Sequence, residues 1–248
     1  MVDLIRVASA SGVDIIKLQI FKYDSIATNS SYQYKEYEQL LFSDDDWDNF
    51  IEIARTHGKA IAVDILDEYG LEYVLKNIEK IYYLKITPSI MDDNRLCESV
   101  FVLNKPTFVG IGGHETNEVE LFFKKYSKYR HNIVLILSCQ GFPTDLPDLN
   151  ISQICSYRKK FDCDVCYADH VDAESKYSIL ISQIALMAGA VYIEKHITLE
   201  RESSGYNYYS ALIPDEFVAM VEELKISNTI YGVKHHVAQK NWNISSYS

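Results

Sequence analysis

The chain has 248 residues, 48 % of them hydrophobic and 24 % charged, and a formal net charge of −11. That length and balance suit one large core and exclude an extended or disordered polypeptide. The acidic surplus argues against a nucleic-acid partner, and no apolar run is long enough to span a membrane.

Residues 1–11 read as a helix. "VDIIKLQIF" (13–21) is β-branched and apolar and reads as a buried strand. "SDDDWDNFIEIARTHG" (43–58) opens on a serine cap with an acidic first turn and closes on glycine, the pattern of a helix. "KAIAVDIL" is a strand, "DEYGLEYVLKNI" a helix, "KIYYLKIT" a strand and "MDDNRLCESVFVLN" a helix. "PTFVGIG" is a strand, "HETNEVELFFKKYSKYR" a helix, "NIVLILSC" a strand and "NISQICSYRKKF" a helix. "CDVCYAD" is a strand, "DAESKYSILISQIALMAG" a helix, "AVYIEKHI" a strand and "PDEFVAMVEELKISNTI" the last helix.

Strict alternation with apolar strands implies parallel pairing with helices outside, and predicts an α/β fold of the TIM-type (β/α)8 barrel class over residues 1–232. Residues 233–248 read as a polar tail. Seven strands are visible, one fewer than a closed barrel of this class needs. "MVDLIRVA" lies too close to "VDIIKLQIF" to be the eighth, because a parallel crossover takes about a dozen residues. The expectation is therefore a gap between "VDIIKLQIF" and "AVYIEKHI", with the 1–11 helix outside. Two bare edges are costly, so an upstream segment, a homodimer mate or another partner chain is expected to cover them.

Five cysteines, an odd and scattered number, point to reduced thiols and a cytoplasmic location. "MVDLIRVASASG" has no basic-then-apolar leader pattern, so the Asn-x-Ser triplets at Asn29, Asn150 and Asn243 are not read as glycosylation sites. Cys163 and Cys166 form a CxxC, but residues three apart on a strand face opposite ways, and strand packing explains them.

In a parallel barrel the C-terminal strand ends line the active site, and side chains alternate by two. Lys17 then shares a face with Gln19, Lys85 with Thr87, Ala168 with His170, and Glu194 with His196, while Lys195 points the other way. An unpaired lysine among apolar side chains costs several kcal/mol, so Lys17 and Lys85 are placed at the barrel mouth, where they suit an anionic ligand such as a phosphate or carboxylate. Two histidines on adjacent strand ends suit a divalent metal. One histidine alone is better explained as a hydrogen-bonded mouth residue. Two histidines, one glutamate and two lysines together favour a site.

The segments "VDIIKLQIFKYDSIA", "YLKITPS", "KPTFVGIGGHETNEVE", "GFPTDLPDLNI", "YADHVDAES", "GAVYIEKHITLERESSG" and "ALIPDEF" follow one another as in the sialic acid (N-acetylneuraminate) synthases, which the chain resembles from about residue 10 to 225. The resemblance implies an α/β barrel that condenses phosphoenolpyruvate with an N-acetylated aldose of the N-acetylmannosamine type. The products are phosphate and a nine-carbon 2-keto sugar acid, and manganese or magnesium is required. It implies His170 and His196 as metal ligands, Lys17 and Lys85 as holders of the phosphoenolpyruvate anion, Glu194 near the reacting groups, and Gln19 as a sugar contact. Ser89, Gln140 and Asn207 fall at further substrate-binding positions.

The chain also departs from that family. Ala168 replaces a serine, Asp64 stands at a serine or threonine position, and "GIGG" replaces a hydroxyl-bearing turn. Asn207 and Tyr208 replace an aspartate–histidine pair, and neither the first strand nor the antifreeze-like domain that follows the barrel is seen. Asp64 would repel an anion unless it binds a metal or a lysine. Two further readings stand beside the synthase: a catalytically impaired relative that binds a sugar phosphate or serves in assembly, and a barrel aldolase or lyase using Lys17 or Lys85 as a Schiff-base amine.

Overall fold

Residues 1–26, 34, 38, 41–201 and 208–232 are described by the computed structural model. Seven parallel strands pair in sequence order: β1 (Ile15–Ile20), β2 (Ala60–Ile65), β3 (Tyr83–Ile86), β4 (Thr107–Gly110), β5 (Ile133–Leu137), β6 (Asp164–Asp169) and β7 (Tyr192–Lys195). In a flat sheet β1 and β7 would stand six strand spacings apart, about 29 Å. Instead Lys17 Nζ on β1 lies 2.9 Å from Glu194 Oε1 on β7. The rings of Tyr83 on β3 and Tyr192 on β7 are 6.1 Å apart between centroids. The sheet is therefore curled into an α/β barrel wall, with inward side chains meeting across its axis.

The alternation of the strands sorts two cores. Leu18, Val63, Leu84, Val109, Leu135 and Val165 point outward into the large cluster under the helices. Phe108, Val134, Ile136, Cys166 and Ala168, with Ile15, Tyr83 and Tyr192 against them, fill the inside. Tyr83, Phe108 and Tyr192 form a floor of mutually tilted rings with centroids 5.1–6.1 Å apart.

Helix Val2–Ala10 sends Ile5 and Ala8 into the outer cluster, so it lies outside the wall as expected. Among the described residues β1 pairs only with β2, and β7 only with β6, so the expected gap is present. Just beyond β7, Leu212 N donates to His196 O at 2.9 Å and Thr198 N to Leu212 O at 3.0 Å. The segment before the last helix thus covers part of that edge.

Helix Asp44–Thr56 begins as the sequence predicts: Asp46 N donates to Ser43 Oγ (3.2 Å) and Ser43 N to Asp46 Oδ2 (2.9 Å), a reciprocal cap. Helix Glu68–Lys76 is capped by Asp67, and a Cβ at Gly70 would strike the carbonyl oxygen of Ile20, so only glycine lets this helix sit on the end of β1. Some helices start later than their sequences suggest. Asp93 accepts from Arg95 N and Leu96 N, so that helix spans Asn94–Phe101 rather than opening at Met91. Asp172 and Ser175 hydrogen-bond the backbone of Glu174 and Tyr177, a local alternative to helix, and the next helix spans Ser178–Met187.

Candidate functional site

The strand register brings four charged side chains together inside the barrel. Gln19, Asp64 and Lys85 are successive cross-strand partners on β1, β2 and β3, and Lys17 lies two residues before Gln19 on the same face. Glu194 reaches them from β7. Lys17 Nζ donates to Asp64 Oδ2 at 3.1 Å and to Glu194 Oε1 at 2.9 Å. Lys85 Nζ donates to Glu194 Oε1 and Oε2 at 2.9 and 3.1 Å, and lies 3.6 Å from Asp64 Oδ2. Gln19 Nε2 donates to Asp64 Oδ2 at 3.1 Å. Asp64 therefore binds lysine, one of the two ways a carboxylate could be accommodated there.

Burial works against the Lys17 ammonium, but the Asp64 and Glu194 carboxylates outweigh it and raise its pKa well above the ordinary lysine value. Burial likewise disfavours the Glu194 carboxylate, yet the Lys17 and Lys85 ammoniums hold its pKa far below the usual carboxylate range. Lys17 and Glu194 are therefore ionised at neutral pH, each favoured by the opposite charge beside it.

His170 and His196 follow β6 and β7. Their rings stack with centroids 5.4 Å apart, and Phe142 packs on His170 at 4.2 Å. His170 Nδ1 lies 2.9 Å from Cys139 O. A carbonyl only accepts, so Nδ1 carries the proton and Nε2 keeps its lone pair. Burial, then the Lys17 ammonium and the His170 ring, pushes the His196 pKa down to about 3. Burial also lowers that of His170, against the pull of the Cys139 carbonyl. Both rings are neutral at neutral pH, the form that ligates metals. Among the described residues no group of three histidine, cysteine or carboxylate side chains is set to hold an ion; the two imidazoles together offer two nitrogen donors.

The remaining candidates are scattered. Ser89 hydrogen-bonds Thr87 Oγ1 at 2.9 Å just past β3. Gln140 donates to Ser138 Oγ at 3.1 Å and lines a cleft of about 290 Å³ against residues 148–154, apart from the lysine network. Asn207 lies outside the described residues.

Two supports could not be read from the sequence. Lys195 points to the helix side, as its alternation predicts, but it is not solvated: its Nζ lies 2.9 Å from Asp169 Oδ2, with side-chain exposures of 1 % and 0 %. Asp169 and Lys195 immediately precede the two histidines, so this ion pair ties the β6 and β7 ends together. Arg201, in the loop after β7, makes a two-pronged ion pair with Glu216 in the first turn of helix Pro214–Tyr231, linking the "LER" and "PDEF" segments. The only signal for either pair was the opposite charge itself.

The parallel α/β barrel thus gathers two lysines, two carboxylates and two neutral imidazoles on its inner face. The chain belongs to the NeuB family, whose model matches residues 4–236. It is 24 % identical over 249 residues to the N,N'-diacetyllegionaminic acid synthase of Legionella pneumophila, covering 93 % of this chain and 68 % of that protein. It is 25 % identical over 243 residues to the pseudaminic acid synthase of Campylobacter jejuni serotype O:23/36, covering 92 % and 69 %. Among solved structures, the N-acetylneuraminic acid synthetase of Leptospira borgpetersenii superposes with a TM-score of 0.86 at 20 % identity, over 96 % of this chain and 82 % of that one. The chain spans about two thirds of the length of the curated relatives it matches.

Proposed function

We propose that this chain is the barrel part of a metal-dependent sugar acid synthase that condenses phosphoenolpyruvate with an N-acetylated aldose of the N-acetylmannosamine type. The observation that carries this reading is the convergence of Lys17, Lys85 and Glu194 beside the His170–His196 pair, in a chain whose named relatives are sugar acid synthases.

In this reading Lys17 and Lys85 bind the carboxylate and phosphate of phosphoenolpyruvate, replacing some of their present contacts to Glu194. Gln19 orients the sugar. Glu194, released from the lysines, stands next to the reacting carbons, where it can hold a proton or a water molecule. His170 and His196 would hold manganese or magnesium, which when bound supplies Lewis-acid polarisation of the sugar aldehyde. The Schiff-base reading is disfavoured at Lys17, because the carboxylates keep that amine protonated and a nucleophilic amine must be neutral. A strand from a preceding segment or from a second copy completes the wall between β1 and β7 in this proposal, supported by the lack of a second strand partner for either among the described residues.

One observation favours the impaired relative instead: the two ammoniums are already matched by two internal carboxylates. Phosphate release from phosphoenolpyruvate, measured with a panel of N-acetylated aldoses with and without manganese, separates the two. Aldose-dependent and manganese-dependent release supports the synthase. Its absence with every aldose, while phosphoenolpyruvate still binds, supports the impaired relative.

A further inference from the structure

The lysine pair is internally neutral. Lys17 and Lys85 bring two positive charges, and Asp64 and Glu194 bring two negative ones, all within 3.6 Å of a partner. The two carboxylates are not equivalent. Glu194 sits on β7, at the end of the sheet order, its side chain is 19 % exposed, and its Oε1 accepts from both ammoniums, the place a ligand anion would take. It can turn toward the mouth and yield its place. Asp64 sits on β2, paired on both sides, with no exposed side-chain surface and with Gln19 and Lys17 both donating to Oδ2. Its Oδ1 is buried without a hydrogen-bond partner. Nothing in this packing lets Asp64 leave when a ligand arrives. With Glu194 displaced, two ammoniums and one fixed carboxylate leave one positive charge for the ligand.

We propose that Asp64 is a specificity-determining residue: as a permanent counter-ion it subtracts one charge from the lysine pair and so weakens the pair's hold on a ligand more with each additional negative charge the ligand carries. This rests on the reading of Lys17 and Lys85 as the anion site. At about 4–6 Å in a protein site, one unit charge changes an interaction by tenfold or more, so Asp64 should weigh more heavily on phosphoenolpyruvate than on pyruvate, which has the carboxylate but not the phosphate.

The test is calorimetric titration of phosphoenolpyruvate and of pyruvate into the full chain, as wild type, Asp64→Asn, Asp64→Ser and Lys17→Met, each checked for folding by thermal melting. Asn keeps the shape and an acceptor for Lys17, while Ser removes the carboxylate in a smaller side chain. Both Asp64 variants should bind phosphoenolpyruvate at least about tenfold more tightly than wild type and gain distinctly less for pyruvate. If phosphoenolpyruvate binds the wild type and Lys17→Met abolishes that binding, but the Asp64 variants leave the phosphoenolpyruvate-to-pyruvate ratio unchanged, this inference is overturned and the anion site stands. If neither anion binds any variant, the anion site falls, and the role of Asp64 with it.

Discussion

Replacing Lys195 with methionine should destabilise the protein out of proportion to the small change in shape. Lys195 and Asp169 are 1 % and 0 % exposed, with Nζ 2.9 Å from Oδ2, and Lys195 Nζ also donates to Val171 O at 3.3 Å. Removing one member of such a pair strands a buried charge and costs about 3–5 kcal/mol. The lower end is expected, because Asp169 keeps Val171 N at 2.9 Å and Ser182 Oγ at 3.5 Å. At roughly 2–4 °C per kcal/mol for a domain of this size, the melting temperature should fall by at least about 6 °C. The double variant Asp169→Leu with Lys195→Met should recover much of the loss, since no charge is then left unpaired. Urea unfolding with a fluorescence readout measures both. A single variant within about 0.5 kcal/mol of wild type, below the ordinary scale for breaking a buried pair, would show that Lys195 is not held as described.

Other consequences follow from the same geometry. His196, whose pKa falls from 6.5 to about 3, is neutral when folded and takes up a proton on unfolding between those values, so stability is full above pH 6.5 and is lost progressively toward pH 3. Glu194, also depressed, adds to that loss below its ordinary 4.5. Melting curves from pH 7 to 4 should show the decline, and His196→Gln should flatten it above pH 5; an unchanged slope there would contradict the burial of that ring. Alanine at either His170 or His196 should weaken manganese binding at least about tenfold, since loss of an inner ligand exceeds the 10–100-fold cost of losing an outer partner; unchanged binding in the double variant would remove the two-imidazole site. Arg201→Ala should leave Glu216 without its ion-pair partner and cost roughly 1 kcal/mol, because this pair is partly exposed. A cost near zero would make the link between the β7 loop and the last helix incidental.

The order of elements was legible because apolar strand runs and capped helices leave strong local marks. Ser43 caps where its sequence position predicts. The 172–177 stretch misled because Asp172 and Ser175 serve turns as readily as helix starts. Face assignments also held: alternation by two placed Lys17, Lys85 and Glu194 inside and Lys195 outside. Alternation does not name partners, however. That Asp64 would bridge Lys17 and Gln19, or that Lys195 would be buried against Asp169, depends on register between strands distant in sequence. Gln140 shows the opposite limit. It follows β5 closely enough to suggest the mouth, yet its loop turns it into a separate cleft.

The central claim, that the lysine pair and the histidine pair serve one carbon–carbon bond-forming reaction, is tested most directly with phosphoenolpyruvate labelled at all its carbons. The labelled compound is incubated with N-acetylmannosamine, manganese and the protein, and the products are read by mass spectrometry. The account predicts a sugar acid carrying every labelled carbon, with a mass equal to the two substrates plus water less phosphoric acid, formed in step with free phosphate and lost in Lys17→Met. Labelled pyruvate with no sugar adduct, or an adduct formed equally well by Lys17→Met, would contradict it.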